Sequence, residues 1–290
     1  MTALVCLMAG AAAAELAPEA RAKVTELQKS LDSRGARWTA GETAVSNLTE
    51  DQWGNLVGLD VDVPAGPLAP EPPETRLARS LDWRDNGGNF VTAPKQQGGC
   101  GSCWSFAMTG ALESYVMRKR GAPGLGIDLS EQVYISCSSV GSCKGGALLP
   151  FFLVRQGLPA EAAYPYAEAN GSCSDAALGW ERDTHKIGGW GMVLPTVNKI
   201  KAALAHYGPL PTSMQVYEDL LHYTGGVYSR VSGKRVGAHA VLLVGYNDEE
   251  EYFIVKNSWG TNWGEGGFFR IDYSEMRSRV IFGLTTVAYY

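Results

Sequence analysis

Apolar residues over the first two thirds of the chain fall at helical spacing; over the last third they alternate or run together as in strands. Ala20, Val24, Leu27 and Leu31 share one face of a helix that Pro18 opens. From Cys103, the residues Ala107, Ala111, Leu112, Tyr115 and Val116 keep the helical period up to Arg120, which puts the cysteine at a helix N-terminus. Ser130 suits the N-cap of a second helix through Cys137. Thr196 suits that of a third, with Ile200, Ala203, Leu204 and Tyr207 inward and Gly208-Pro209 as its stop. Beyond it the pattern predicts strands over 238–246, 251–256, 268–273 and 280–288. A helical part followed by a strand-rich part predicts an α+β fold.

Punctuation divides the chain further. Pro64, Pro67, Pro70, Pro72 and Pro73 crowd into ten residues, five of the 14 prolines. Such a stretch holds neither helix nor sheet and reads as an extended, cuttable linker over 64–77. Residues 3–14 are short and apolar, with Ala12-Ala13-Ala14 before Glu15, which fits a cleaved export signal over 1–14. No apolar stretch reaches the ~18 residues of a spanning helix, so no membrane partner is expected. The 290 residues carry 25 Lys+Arg against 30 Asp+Glu, a net charge of −5. The longest like-charge run, Asp248 to Glu251, is acidic and suits a solvated turn, so nothing invites nucleic acid.

Chemistry concentrates in three strings. Gln97-Gly-Gly-Cys100-Gly-Ser-Cys103-Trp places a glutamine six residues before a cysteine. Ala238-His239-Ala240 follows, and then Lys256-Asn257-Ser258-Trp259-Gly260, with His239 and Asn257 lying 136 and 154 residues after Cys103. Cysteine, histidine and asparagine in that order supply a thiol nucleophile, its base and the group that orients the base. On these strings the chain resembles the papain family of cysteine peptidases over about residues 78–290. Trp38-Thr39-Ala40-Gly41 after a short helix resembles the brief propeptides of the cathepsin B branch.

That resemblance implies a helical lobe packed on a β-barrel lobe with the active-site cleft between them. It implies a precursor, with residues 15–77 as propeptide and linker and 78–290 as peptidase domain, the propeptide acting as the enzyme's own inhibitor. Cys103 would attack as a thiolate beside a charged His239, because a helix N-terminus and an imidazolium both favour the anion. Asn257 would hold the ring, and Gln97 with the Cys103 backbone N–H would form the oxyanion hole, with Gln96 as the rival. Gly145 and Gly146 would let a substrate backbone pair with the enzyme, and Trp259 would cover the His–Asn bond or simply pack in the core. The family pattern lines the P2 pocket with Ala147, Leu148, Gly237, Ala238 and Val287, none charged, so apolar P2 residues of protein or peptide substrates are expected. Ala147 stands where many relatives have a large aromatic residue, leaving one wall open. Between Tyr166 and His185 there is no inserted loop with paired histidines, so internal cleavage is expected.

Cysteine arithmetic fits export to an extracellular, periplasmic or lysosomal-type compartment. Apart from Cys6 and the nucleophile, four cysteines remain, and their number allows three pairings; the resemblance selects Cys100–Cys143 and Cys137–Cys173. No metal spacing or cofactor motif is found: Cys137-x5-Cys143 is not a zinc pattern, and no glycine-rich phosphate loop is present. A monomer is expected. Two other readings remain at this point: a non-catalytic relative used for binding, and a thiol–disulfide oxidoreductase using Cys100 and Cys103.

Overall fold

The computed structural model describes residues 17–60 and 66–290. Cys6, the expected signal segment and the first residues of the linker lie outside the described residues.

Helix α1 spans Pro18–Arg34 and ends at Gly35, whose φ of 62° is left-handed. Its predicted face is the one turned inward: Leu27 and Leu31 are buried, Ala20 and Val24 half-buried. Strand β1 (Trp38–Ala40) then joins the main sheet, pairing antiparallel with β7 (Tyr223–Tyr228). Trp38 is the anchor of that join. Its ring packs 5.2 Å from Tyr228 and 6.0 Å from Tyr223, and its Nε1–H donates to the Ser229 carbonyl at 2.9 Å. A one-turn helix α2 (Glu50–Gly54), closed by a capping box between Thr49 and Gln52, completes the N-terminal unit.

The sheet lobe is built on seven strands in the order β1-β7-β10-β9-β8-β2, with β6 also paired to β8. Here β2 is Ser80–Asp82, β6 Leu210–Tyr217, β8 Arg235–Asn247, β9 Tyr252–Lys256 and β10 Phe268–Asp272. The helical lobe is built on α3 (Cys103–Arg120), buried along almost its whole length, and α4 (Glu131–Cys137), N-capped by the Ser130 side chain. Strands β3 (Gly141–Ser142) and β4 (Gly145–Gly146) form a hairpin beside it, followed by α5 (Phe151–Arg155). Strand β5 (Trp190–Met192) pairs with β11 (Val287–Tyr289); α6 is Val197–Tyr207, capped by Thr196, and α7 is Glu218–Leu221. The α+β two-lobe expectation holds.

Two expectations need correction, and two strands were not foreseen. The strand expected over 280–288 is confined to its end, because Ile281 and Gly283 both take positive φ (48° and 80°) and turn the chain. Strands β6 and β7 went unread: β6 is buried nearly throughout and shows no alternation. The linker is extended as expected, yet it does enter a sheet ladder: Leu68 bridges Met192 in parallel register. Proline blocks donation at its own nitrogen only, and the bonds fall elsewhere: Met192 N–H donates to the Pro67 carbonyl (2.8 Å), and Ala69 N–H to that of Met192 (2.9 Å).

Candidate active site

Cys103 is the first residue of α3, and its sulfur lies in the field of that helix N-terminus. Strand β8 brings His239 across the lobe boundary, and the Ala240 N–H donates to Cys103 Sγ at 3.4 Å. Strand β9 ends at Lys256, so Asn257 begins the turn beside it; Asn257 Oδ1 meets His239 Nε2 at 2.8 Å. The Trp259 ring lies 4.9 Å from the imidazole, 31° from parallel, and is wholly buried, so it shields the His–Asn bond and packs in the core at once. The other ring nitrogen, Nδ1, is buried with no hydrogen-bond partner among the described residues.

Gln97 is the glutamine that reaches this site. Its Nε2 donates to the Leu56 carbonyl (3.2 Å) and the Cys100 carbonyl (3.0 Å). Its Oε1 accepts from Ser258 Oγ at 2.6 Å, which fixes the amide's orientation. Gln96 instead bridges Trp259 through its backbone. Tyr166 holds the same loop: its hydroxyl donates to the Gln97 carbonyl (2.6 Å) and lies 2.8 Å from Ser102 Oγ. Ser258 and Tyr166 were missed as site residues. Ser258 lay inside a quoted string, but Tyr166 is 69 residues from Gln97 and carried no local signal.

A segment of the chain's own N-terminal unit fills the cleft. The Leu56 carbonyl accepts from Trp259 Nε1 (3.2 Å) as well as Gln97. Gly58 N–H and Leu59 N–H both donate to the Ala238 carbonyl (3.1 and 3.0 Å). Gly146 N–H donates to the Gly58 carbonyl (2.9 Å), and Asp60 N–H to that of Gly146 (2.8 Å). Gly58 must be glycine, since a Cβ there would sit 2.2 Å from the Gly101 carbonyl oxygen. Gly146 likewise leaves no room: a Cβ would lie 2.6 Å from the Trp104 indole. Gly145 lies against the Gly58 carbonyl, and Gly237 against the Val57 side chain. Leu148 and Val287 are buried and Ala147 half-buried.

The closed site is electrically quiet. Burial pushes the Cys103 thiol up to about 11, against the backbone N–H groups of Ala240, Trp104 and Gly58. Burial pulls His239 down to about 4, against the Asn257 bond. In this closed form burial thus works against the thiolate–imidazolium pair that the resemblance implies, and opposes the helix terminus at Cys103.

Behind Asn257 lies a charged cluster, buried at Glu113, Glu131 and Lys256 and open to solvent at Asp128, that the sequence reading did not single out. Lys95 contacts Glu131 (2.8 Å) and Asp128 (2.6 Å), and Lys256 Nζ donates to Thr92 Oγ1 (2.8 Å), which donates in turn to Glu113 at 2.5 Å. Glu113 and Glu131 belong to the helical lobe and Lys256 to β9, so the cluster ties the lobes beneath the site.

Cys100 is bonded to Cys143 and Cys137 to Cys173, leaving Cys103 free. Cys100 and Cys103 therefore do not form a dithiol pair, which removes the basis of the oxidoreductase reading.

Comparison with known proteins agrees with this fold. The family profile described as papain family cysteine protease matches residues 77–285. Pro-cathepsin H of Mus musculus is 38% identical over 228 residues, 73% of this chain and 64% of the relative; the chain thus spans less than two thirds of that relative's length. Cathepsin B-like CP3 of Giardia intestinalis is 33% identical over 274 residues, 86% of this chain and 88% of the relative. Among solved structures, procathepsin L 3 of the Tenebrio molitor larval midgut aligns with a TM-score of 0.78 at 26% identity, covering 93% of this chain and 88% of that one. Procathepsin B S9 of Trypanosoma congolense aligns at 0.79, over 91% and 97%; at 22% identity it speaks for the fold.

Proposed function

The chain belongs to the papain family of cysteine proteases, and from that premise we propose that it is an exported endopeptidase made as a latent precursor. Residues 15–77 are the propeptide and linker, and 78–290 the enzyme. Cys103 Sγ attacks the scissile carbonyl, His239 protonates the leaving amine, and water then releases the acyl group from sulfur. Asn257 keeps the imidazole in register. Gln97 Nε2 and the Cys103 N–H stabilise the oxyanion, and one such donor is worth about 10²–10³ in rate.

The observation that carries this reading is the carbonyl of Leu56 in the grip of Gln97 Nε2. One of the two donors proposed for the oxyanion hole already holds a peptide oxygen. The same segment accounts for latency. Its backbone lies over the sulfur, with the Gly58 N–H among the groups against the thiol, so the plug occupies the cleft where a substrate would lie.

Small, uncharged walls at Ala147, Gly237 and Ala238, with Val57 seated against Gly237, support a preference for apolar P2 residues. An unpaired Arg buried there would cost several kcal/mol. The two disulfides suit an oxidising compartment.

The test is a fluorogenic peptide blocked at both ends, assayed after removal of the propeptide. Wild type should cut it, Cys103→Ala should not, and an epoxysuccinyl inhibitor should leave its adduct on Cys103. Failure on doubly blocked peptides with cleavage of free-ended ones would refute the endopeptidase reading, and full activity in Cys103→Ala would refute the mechanism.

A further inference from the structure

Strand β5 has two edges, and β11 takes one of them. The other is covered by residues 66–71 of the linker. Two backbone bonds join Pro67 and Ala69 to Met192. Tyr207 Oη donates to the Pro70 carbonyl at 2.5 Å, and Lys199 Nζ pairs with Glu71 at 2.6 Å. Trp190 lies under Gly66, where a Cβ would come within 2.5 Å of the ring. Leu194 and Ala203 line the rest of the groove. Leu68 points outward and is 63% exposed, so its side chain contributes little.

The recognition is written in groups that proline keeps. Pro67 and Pro70 each use a carbonyl, and the one ligand N–H engaged belongs to Ala69. Fixed proline φ values hold such a peptide extended before it binds, which lowers the ordering cost. An added strand at a sheet edge is a known way to seat a peptide. Gly191 is part of the fit, because a Cβ there would lie 2.3 Å from the Ala69 nitrogen.

We propose that this edge of β5, with Tyr207 and Lys199, is an exosite of the mature enzyme for extended, proline-containing peptides bearing a carboxylate. Its first occupant is the enzyme's own excised linker. The inference rests on the reading that activation removes residues up to about 77. In the precursor the linker is tethered and its effective concentration is high. Once excised it is a free peptide of modest affinity, and the groove opens to other chains. Leu59 in the cleft and Gly66 at the groove are seven residues apart in one chain, so a single peptide can engage both sites.

The experiment uses activated enzyme with its cleft filled by an epoxysuccinyl inhibitor, and a fluorescein-labelled peptide of sequence 66–73. N-terminal sequencing comes first. A start between residues 74 and 80 shows the linker gone. A start at or before residue 66 overturns the activation reading, and with it the open groove. On correctly trimmed enzyme, fluorescence polarisation should show saturable binding. Methylating the peptide nitrogen at the Ala69 position should weaken it about tenfold or more, and Tyr207→Phe about threefold to tenfold. Lys199→Glu should weaken it a few-fold, in a salt-dependent way, because the pair is exposed. No saturation up to ~1 mM, or binding indifferent to both N-methylation and Tyr207→Phe, would overturn the exosite while leaving the activation reading intact.

Discussion

At the scale of single residues, the site depends on an amide held in one orientation. In the proposed mechanism Gln97 must point Nε2 at the oxyanion, and Ser258 fixes that orientation by donating to Oε1 at 2.6 Å. The Cys100 carbonyl gives a second anchor at 3.0 Å, so loss of the serine frees the amide in part. We therefore predict that Ser258→Ala lowers kcat about threefold to thirtyfold, a fraction of what a lost oxyanion donor costs, with KM little changed. Steady-state kinetics on the activated enzyme checks this; an unchanged kcat would mean that Cys100 alone aligns the amide. Tyr166→Phe removes the bond to the Gln97 carbonyl and should act in the same direction, more weakly. That Cys103, His239 and Asn257 belong to one constellation was legible in the sequence, because their neighbours form fixed strings, and the structure brings the three together. Ser258 and Tyr166 were not legible, because their roles follow from contacts made across 161 and 69 residues.

Elements were legible where period and punctuation agreed. Helix α3 runs from Cys103 to Arg120, the bounds its apolar spacing marks, and Thr196 caps α6 as expected. Strand β11 was overdrawn because positive φ at Ile281 leaves no trace in hydrophobicity. The docking of β1 and α2 on the sheet lobe was also hidden, and it carries a pH dependence. His222, at the end of α7, is buried under that unit, with Nδ1 3.0 Å from Ser46 Oγ and the Trp53 ring 6.4 Å away. Charged groups surround it: Glu19, Lys23 and Glu26 from α1, Glu50 from α2, Glu218 and Asp219 from α7. Burial lowers its pKa below the ordinary value, Lys23 lowers it further, and Glu218 opposes them. The docked state thus binds fewer protons than the undocked one. Docking is strongest above the ordinary histidine value of about 6.5 and weakens as pH falls below it. Precursor carrying Cys103→Ala, challenged with an added protease, should lose its propeptide faster at pH 5 than at pH 7. His222→Gln, which can still bond Ser46 but cannot charge, should flatten that difference; an identical pH profile in the variant would remove His222 from the account.

For the whole molecule, latency and reactivity are one question of solvent. The two lobes meet around Cys103 and His239, both with no exposed surface, and residues 56–60 complete the enclosure. While they stay, burial holds the thiol up, to about 11, and the imidazole down, to about 4, so both neutral forms are favoured near pH 7. Removing the plug readmits water and relieves the desolvation. The helix N-terminus and the imidazole then favour the thiolate. A thiol near 11 is only about 10⁻⁴ ionised at pH 7, so Cys103 in the precursor should alkylate with iodoacetamide about 10³-fold or more slowly than in the cleaved enzyme. Its rate should climb about tenfold per pH unit above 7, whereas the cleaved enzyme should already be on a plateau. The slope matters more than the rate, because steric cover slows alkylation without making it depend on pH. Gly58→Ala supplies the control. Its Cβ would meet the Gly101 carbonyl oxygen at 2.2 Å, so the variant segment must lift from the cleft. Uncut Gly58→Ala precursor should show fast alkylation and measurable peptidase activity at pH 7. Wild-type precursor reacting as fast as the cleaved enzyme, with no pH slope, would show that burial by the plug does not set the state of the thiol.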